Sequence, residues 1–309
     1  MITRRSLLTS AVMTAAASQV LGQTSNDEVE SKSKLTIEPY RWKGLYADYR
    51  TRNKAFHDWR LCAELKGGWL GPCERLILRT SEVVGHETGF LYDDHLPPSE
   101  PEGRGKNYHH IPFEWRIVEP GKEIYADCLV PGKGKFSLRL TVQCDYLDIH
   151  LTARNDMRQP MENLDWAFCA VTLESSSLAD SEVTRTYLFD GKHLRTFAEM
   201  AGRDMHLYKV AGAHGFIPAG HRALPVAAVE AKASVVIIEA EDGTHSAALG
   251  FEQADQIYGD AKGNKCFHAD PYFGPLLKTG EEKSIKGRLY MVKGNAGEAL
   301  RRYQKDFPS

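Results

Sequence analysis

The chain has 309 residues, and its 39 lysine and arginine side chains against 41 aspartate and glutamate side chains leave a net charge of −2. This balance is mixed along the chain and contains no basic stripe of the kind that binds a phosphate backbone, so we expect no nucleic-acid partner. The sequence also lacks a glycine-rich phosphate loop, a Walker lysine motif and a G-x-S-x-G elbow, which argues against nucleotide-dependent and serine-hydrolase chemistry.

The first residues have the pattern of an export signal. Arg4 and Arg5 precede an apolar stretch, residues 7–21, which is too short to span a bilayer and is rich in small residues. We predict a twin-arginine signal peptide over residues 1–22, a flexible tether over 23–34 and a single domain over 35–309. The mature protein is therefore expected to be periplasmic or secreted, with no membrane partner after signal cleavage.

Alternation of apolar and polar residues dominates the rest of the chain. It is strict over residues 136–142 and 147–154, and such a period of two is typical of strands with one buried face. Further strands are predicted over 74–80, 123–130, 166–174, 185–189, 234–240, 246–253 and 285–292. Many short strands separated by turn residues indicate an antiparallel sandwich or barrel.

Helical patterns are scarce. A short helix is predicted over residues 194–201. A second helix is predicted at the C-terminus, where Asn295 can act as the N-cap with Glu298 three residues later as its partner. Its apolar stripe consists of Ala299, Leu300, Tyr303 and Phe307.

Six cysteines occur, at positions 62, 73, 128, 144, 169 and 266. No C-x-x-C pair is present, which excludes a zinc ribbon or a thioredoxin-type motif. Two readings stay open: buried thiols, since free cysteine is among the most buried residue types, or disulfides, which an exported chain permits. Cys62 and Cys73, separated by glycines and a proline that can reverse the chain, are the best disulfide candidates.

The run from 126 to 174 contains an apolar-x-Asn element that ends at Asn155, and a partner strand follows over 166–171. With these features the run resembles the galactose-mutarotase-like supersandwich superfamily. A His-x-x-Pro-Tyr-Phe-Gly segment over 268–274 adds to the likeness. The resemblance implies an all-β antiparallel supersandwich with a short C-terminal helix, and a carbohydrate as partner. Aldose epimerases, several polysaccharide lyases and domains of large glycosidases have this architecture.

The sequence departs from the aldose epimerases at one important place. Those enzymes carry a catalytic histidine just after the Asn-containing strand, whereas residues 161–166 here contain none. Epimerase residues are therefore not carried over, and sugar mutarotation is not expected.

The densest histidine cluster follows a stretch rich in proline and glycine. In an extended chain His110 and Glu114 share one face, where they can act as base and orienter or as two metal ligands. Tyr108 is a further candidate acid or base. Arg116 could bind a substrate carboxylate, and His109 is a second candidate for substrate binding. The alternative is a pair of loop-edge histidines with ordinary hydrogen bonds.

A second cluster lies over residues 266–273. His268 and Asp270 fall on one side of an extended chain, and Tyr272 follows them. Elimination needs a base, an acid and a group that neutralises the developing charge, so His268 and Tyr272 are candidate catalytic residues and Asp270 a candidate substrate contact. The alternative is an aromatic turn that packs the edge of the core.

A divalent metal is a candidate cofactor. His86, His95, His110 and His268 could converge from different strands, although the segment that contains His86 and His95 has no zincin spacing.

We therefore expect an exported carbohydrate-active enzyme that acts on an extracellular glycan by elimination or hydrolysis. The alternative, from another functional class, is a non-catalytic carbohydrate-binding protein that uses the concave face of the sandwich. In both, residues 108–116 and 266–273 are expected to lie across one sheet.

Overall fold

The computed structural model describes residues 33–47, 54–86, 89–93, 114–130, 132–201, 206–211, 229–260 and 265–308. The elements in chain order are β1 (Ser33–Ala47), β2 (Lys54–Gly68), β3 (Leu76–His86), β4 (Gly89–Asp93), β5 (Glu114–Glu119), β6 (Glu123–Val130), β7 (Gly134–Val142), β8 (Tyr146–Asn155), β9 (Met161–Glu162), β10 (Asp165–Val171), β11 (Thr186–Phe189), β12 (Leu194–Thr196), α1 (Phe197–Ala201), β13 (His206–Lys209), β14 (Val235–Glu239), β15 (His245–Phe251), β16 (Ala254–Asp260), β17 (Cys266–Pro271), β18 (Leu276–Leu277), β19 (Glu282–Lys293) and α2 (Ala296–Asp306).

Two large antiparallel sheets contain most of these strands. The first has the order β1-β2-β3-β10-β17-β16-β13, with β4 paired to β3, and the second has the order β12-β11-β14-β15-β19-β8-β7-β6-β5. Strands β9 and β18 form a small separate pair. The all-β antiparallel sandwich predicted from the sequence is confirmed.

Both sheets contribute to one hydrophobic core. In β7 and β8 every second residue is buried, as the period of two predicts for strands with one solvent-facing side. Leu138 and Leu151 from these strands meet the first sheet's Trp166 and Phe168 in the core. The indole nitrogen of Trp166 donates to the carbonyl of Thr80 at 2.7 Å, so its one polar atom is satisfied there.

Strands β10 and β17 differ from this pattern because all their residues are buried. The main core receives Trp166 and Phe168 from β10 and Phe267 from β17. The alternate residues of each strand face the other side of the sheet. On that other side Cys169 and Cys266 belong to a small separate apolar cluster. The sheet therefore has a second buried face, and the candidate site lies on it.

The C-terminal helix α2 packs on the outer side of the second sheet. Asn295 accepts a hydrogen bond from the backbone N–H of Glu298 at 3.2 Å, which confirms the predicted N-cap. The buried residues of its stripe contact β14, β15 and β19. Tyr303 also donates to the carbonyl of Phe251 at 2.9 Å, which anchors the helix to β15.

Several predicted boundaries change. Strand β6 matches its prediction, whereas β3 spans Leu76–His86 rather than 74–80, because it continues along β10 as far as Gly85. The helix predicted over 194–201 divides into the strand β12 and the one-turn helix α1, since residues 194–196 pair with β11. Strands β1 and β2 were not predicted.

The six cysteines are all free, so the candidate pair Cys62 and Cys73 does not form a disulfide. Cys62 is buried within β2, and Cys73 is exposed in the turn before β3. Buried thiols, the other reading, describe Cys62, Cys128, Cys169 and Cys266. In the described part of the chain, neither helix has the length and apolarity that a membrane crossing requires.

Candidate functional site

Ionisable and amide side chains collect on strands β10, β16 and β17 of the first sheet. We call Asp165, Asp255, Gln256, His268 and Asp270 the buried polar cluster, because each has at most 1% of its surface exposed. Burying charged groups without full pairing costs free energy, so stability alone does not explain three carboxyl groups and an imidazole here. Such a concentration is typical of functional sites.

The imidazole of His268 lies close to an aromatic ring, a thiol and a carboxyl group. His268 lies opposite Cys169 on β10 and opposite Tyr258 on β16. Its ring stacks on that of Tyr258 with centroids 3.7 Å apart. Nε2 lies 3.2 Å from Cys266 Sγ, and Nδ1 lies 3.8 Å from Asp270 Oδ1. The two ring nitrogens therefore face different chemical groups.

Asp270 is held by a residue from the neighbouring strand. Gln256 is its register partner on β16 and donates from Nε2 to Asp270 Oδ2 at 2.7 Å. The other carboxylate oxygen is the one that faces His268. His268 and Asp270 thus share one side of β17, as their spacing in the sequence predicts.

Asp165 is the carboxyl group with the most strongly perturbed environment. Burial raises its pKa well above the ordinary value, and the negative charges of Asp270 and Asp255 raise the pKa further. Neither oxygen of its carboxyl group accepts a hydrogen bond in the described structure. Both effects disfavour the charged form, so this group favours its protonated acid.

Tyr272 is also buried on this side, and its hydroxyl donates to Asn163 Oδ1 at 2.7 Å. Its backbone forms a bridge with Asp165. Asn163 has a φ of 52°, a left-handed conformation that asparagine tolerates better than most residues. Arg79 lies on the neighbouring strand β3, where it is the register partner of Cys169 on β10. It is 1% exposed and supplies a buried cation to this sheet.

The structure describes residues 114–116 of the predicted 108–116 segment, and these do not join the buried polar cluster. Glu114 and Arg116 are exposed on β5, the edge strand of the second sheet. Arg116 forms an ion pair with Asp127 and lies over the ring of Tyr125. The expectation that residues 108–116 and 266–273 lie across one sheet is therefore wrong for the described residues 114–116, because β5 pairs with β6 and β17 pairs with β10 and β16.

Other predicted residues lie outside the described structure. Tyr108, His109, His110 and His95 belong to segments that it does not cover, so their roles stay predictions. His86 ends β3, and its side chain is likewise not described. The predicted convergence of histidines on a metal is thus untested except for the position of His268.

Sequence reasoning missed Asn163, Asp165, Asp255 and Gln256. Asn163 and Asp165 lie in the segment 161–166, which contains no histidine. The sequence signal for them was two polar residues just before the apolar run 166–171. Asp255 and Gln256 carried a similar signal at the start of β16, where a register irregularity separates Ala254 from Gln256.

No protein-family model matches this chain, and no curated protein matches it. Solved structures that resemble it include galactose-mutarotase-like proteins, the group that the sequence resemblance names. The Slr1438 protein of Synechocystis sp. PCC 6803 shares 11% identity with a TM-score of 0.42, over 83% of this chain and 96% of that one. A galactose mutarotase related enzyme of Lactobacillus acidophilus shares 10% identity with a TM-score of 0.40, over 84% and 99%.

A third similar structure is the alpha-N-acetylgalactosaminidase NagBb of Bifidobacterium bifidum. It shares 10% identity with a TM-score of 0.45, over 86% of this chain and 39% of that one. These values concern the fold, and the function is argued below from the residues of this chain.

Proposed function

We propose that this chain is an exported carbohydrate-active enzyme that cleaves glycosidic bonds of an extracellular glycan at the buried polar cluster. One observation carries the proposal: Asp165 is a buried carboxyl group whose raised pKa favours the protonated form, and it lies within electrostatic reach of Asp255 and Asp270. Neighbouring carboxyl groups with unequal proton affinities are the usual basis for dividing the roles of acid and base.

Glycoside hydrolysis and elimination both need a proton for the departing glycosidic oxygen. Asp165 is suited to supply it because burial and the charges of Asp270 and Asp255 raise its pKa and so favour the protonated acid. The second requirement is a base, which acts on water in hydrolysis and on a carbon-bound proton in elimination. Asp255 and Asp270 are the candidate bases, and Gln256 orients the carboxylate of Asp270.

The buried polar cluster is nearly inaccessible to solvent. Glycan cleavage there therefore requires that the cluster become accessible when the glycan binds.

The test is a panel of neutral and uronate-containing polysaccharides incubated with the mature protein. Ultraviolet absorbance of unsaturated uronate reports elimination, and new reducing ends without it report hydrolysis. Asp165→Asn should lower the rate by at least ~100-fold, the usual scale of general acid catalysis. Asp156→Asn is the matched control, because this carboxylate is exposed beside Arg154 at the end of β8.

Cleavage that survives Asp165→Asn would remove the assignment of the acid. Binding of a glycan by the wild-type protein without cleavage of any substrate would replace the enzyme by the carbohydrate-binding alternative.

A further inference from the structure

Two cysteines and a histidine converge on the second buried face of the first sheet. Cys169 Sγ, Cys266 Sγ and a ring nitrogen of His268 all lie within 4.8 Å of one another. Sheet register explains this: Cys169 stands opposite His268, and Cys266 lies two residues earlier on the same side of β17. All three side chains are buried.

We propose that Cys169, Cys266 and His268 form a binding site for Zn²⁺ with a fourth coordination position open to a small ligand. Thiolate and imidazole ligands suit zinc, and three protein ligands with one open position are typical of reactive rather than purely structural zinc sites. Two thiolates and a neutral imidazole around Zn²⁺ carry no net charge. The occupied site could therefore be buried without an uncompensated charge.

The distances need only small adjustments. Tetrahedral zinc, with Zn–S near 2.3 Å and Zn–N near 2.0 Å, places neighbouring ligand atoms about 3.5–3.8 Å apart. Cys266 Sγ and His268 Nε2 are separated by 3.2 Å. With Cys169 Sγ inside the 4.8 Å limit, rotation of one or two side chains would bring the three atoms to bonding geometry.

The surroundings of His268 are a second, independent observation. Metal-bound histidines commonly direct their other ring nitrogen to a carboxylate that fixes the tautomer and the ring orientation. Here Nε2 faces Cys266 while Nδ1 faces Asp270 Oδ1 at 3.8 Å. Gln256 in turn holds Asp270, and Tyr258 holds the ring by stacking. This is the second layer that a zinc-bound histidine needs.

The site differs from the metal set expected from the sequence, with which it shares only His268. It shares Asp270 with the candidate bases of the proposed glycan cleavage, but none of its three ligands is Asp165, the proposed acid. Its test therefore uses metal spectroscopy rather than enzyme activity, and glycan cleavage can fail while the metal site stands.

The experiment titrates Co²⁺, a spectroscopic substitute for Zn²⁺, into the reduced, chelator-treated full-length mature protein under anaerobic conditions. We expect a thiolate-to-cobalt charge-transfer band in the near ultraviolet and visible bands of tetrahedral cobalt. Both should saturate at one Co²⁺ per chain and disappear when Zn²⁺ is added. This measurement on the wild-type protein requires no variant to fold.

Variants then assign the ligands. Cys169→Ser and Cys266→Ser should each lower the charge-transfer intensity by about half, because one of two thiolates is lost. Asp270→Asn should keep that intensity and weaken Co²⁺ affinity by about 10–100-fold, the usual effect of removing the partner of a ligating histidine. Cys128→Ser, a buried thiol of β6 in the other sheet, is the matched control and should change neither.

Four results would overturn the site. The first three are no Co²⁺ binding, binding without a charge-transfer band, and an unchanged band in Cys169→Ser with native circular dichroism. The fourth is a Cys169–Cys266 disulfide that forms on oxidation even when Zn²⁺ was added to the reduced protein beforehand.

Discussion

Tyr258 and His268 stand directly opposite each other on β16 and β17, and their rings stack at 3.7 Å between centroids. The stack fixes the plane of the imidazole, and with it the direction of both ring nitrogens. Because one nitrogen faces a thiol and the other a carboxylate, a single side chain connects the thiol and carboxyl parts of the buried face.

Asp165→Asn is expected to raise the free energy of unfolding at neutral pH. The raised pKa of Asp165 means that the folded chain keeps a proton that the unfolded chain releases above pH ~4. Stability therefore falls as pH rises from the unfolded pKa towards the folded one, by up to about 1.4 kcal/mol per pH unit, and asparagine lacks this dependence. Urea unfolding at pH 5 and pH 8 measures it.

The advantage of the asparagine variant should be larger at pH 8 than at pH 5. The exposed Asp156→Asn serves as control. An Asp165→Asn variant that is no more stable than the wild type at pH 8 would contradict the raised pKa.

Glu74 is expected to give stability the opposite pH dependence from Asp165. Burial by itself would raise the pKa of Glu74, but hydrogen bonds from the backbone N–H groups of Gly71 and Ser177 and the hydroxyls of Ser176 and Ser177 outweigh burial and lower it. The stabilisation is present above the unfolded pKa and is lost as pH falls through the folded pKa. Glu74→Gln should cost about 1 kcal/mol at pH 7, because the group is only partly buried.

Thermal unfolding at pH 7 and pH 3 checks this difference, with the exposed Glu282→Gln as control. An equal cost of Glu74→Gln at both pH values would show that the carboxylate charge contributes nothing.

Asn155, one of the residues that carry the superfamily resemblance, is expected to be structural. It is fully buried at the end of β8, where its amide donates to the carbonyls of Gln159 and Leu277 and its oxygen accepts from the N–H of Met157. Asn155→Ala leaves these groups unpaired and should cost about 2–4 kcal/mol in urea unfolding.

Thr152→Ala is the control. Thr152 lies on β8, like Asn155, and its exposed hydroxyl forms a hydrogen bond with Ser284 of β19, so its loss should cost well under 1 kcal/mol. Similar losses in the two variants would show that the buried amide does not fix this turn.

Gly287 is required by close packing between β15 and β19. A Cβ atom at this position would lie 2.2 Å from Phe251 Cδ1 and 2.9 Å from the carbonyl oxygen of Gly250. Gly287→Ala should therefore destabilise the fold by about 1–3 kcal/mol through overpacking.

Guanidinium unfolding of the double variant Gly287→Ala with Phe251→Leu separates the two contacts. The smaller side chain should recover part of the loss that the single alanine variant shows. A double variant whose loss is the sum of the two single losses would contradict a direct clash.

Export is predicted to depend on the arginine pair. Arg4→Lys together with Arg5→Lys should leave an uncleaved precursor inside the cell, because a twin-arginine signal is an address that a receptor reads and these two residues are its predicted pair. Fractionation followed by immunoblotting measures the distribution. Lys32→Arg together with Lys34→Arg, beyond the predicted signal, is the control, and unchanged export of the Arg4 and Arg5 variant would refute the twin-arginine assignment.

The elements that the sequence predicted well are those with one face in the core and one in solvent. Strands β6, β7 and β8 alternate in burial, so their side-chain pattern was visible in the sequence. Helix α2 was predicted from its cap and stripe for a similar reason. The fully buried strand β17 was not predicted as a strand, because burial on both faces removes alternation, although residues 266–273 were predicted as a candidate site.

The sequence alone determined the sandwich class, the C-terminal helix and the pairing of His268 with Asp270 on one side of a strand. These depend on spacings of two to four residues, which the local backbone geometry converts directly into shared faces. Only the tertiary structure decided that Asp165, Gln256 and Cys169 join them while Glu114 does not. Sheet order and register bring together residues far apart in the chain, and no local pattern encodes which strands become neighbours.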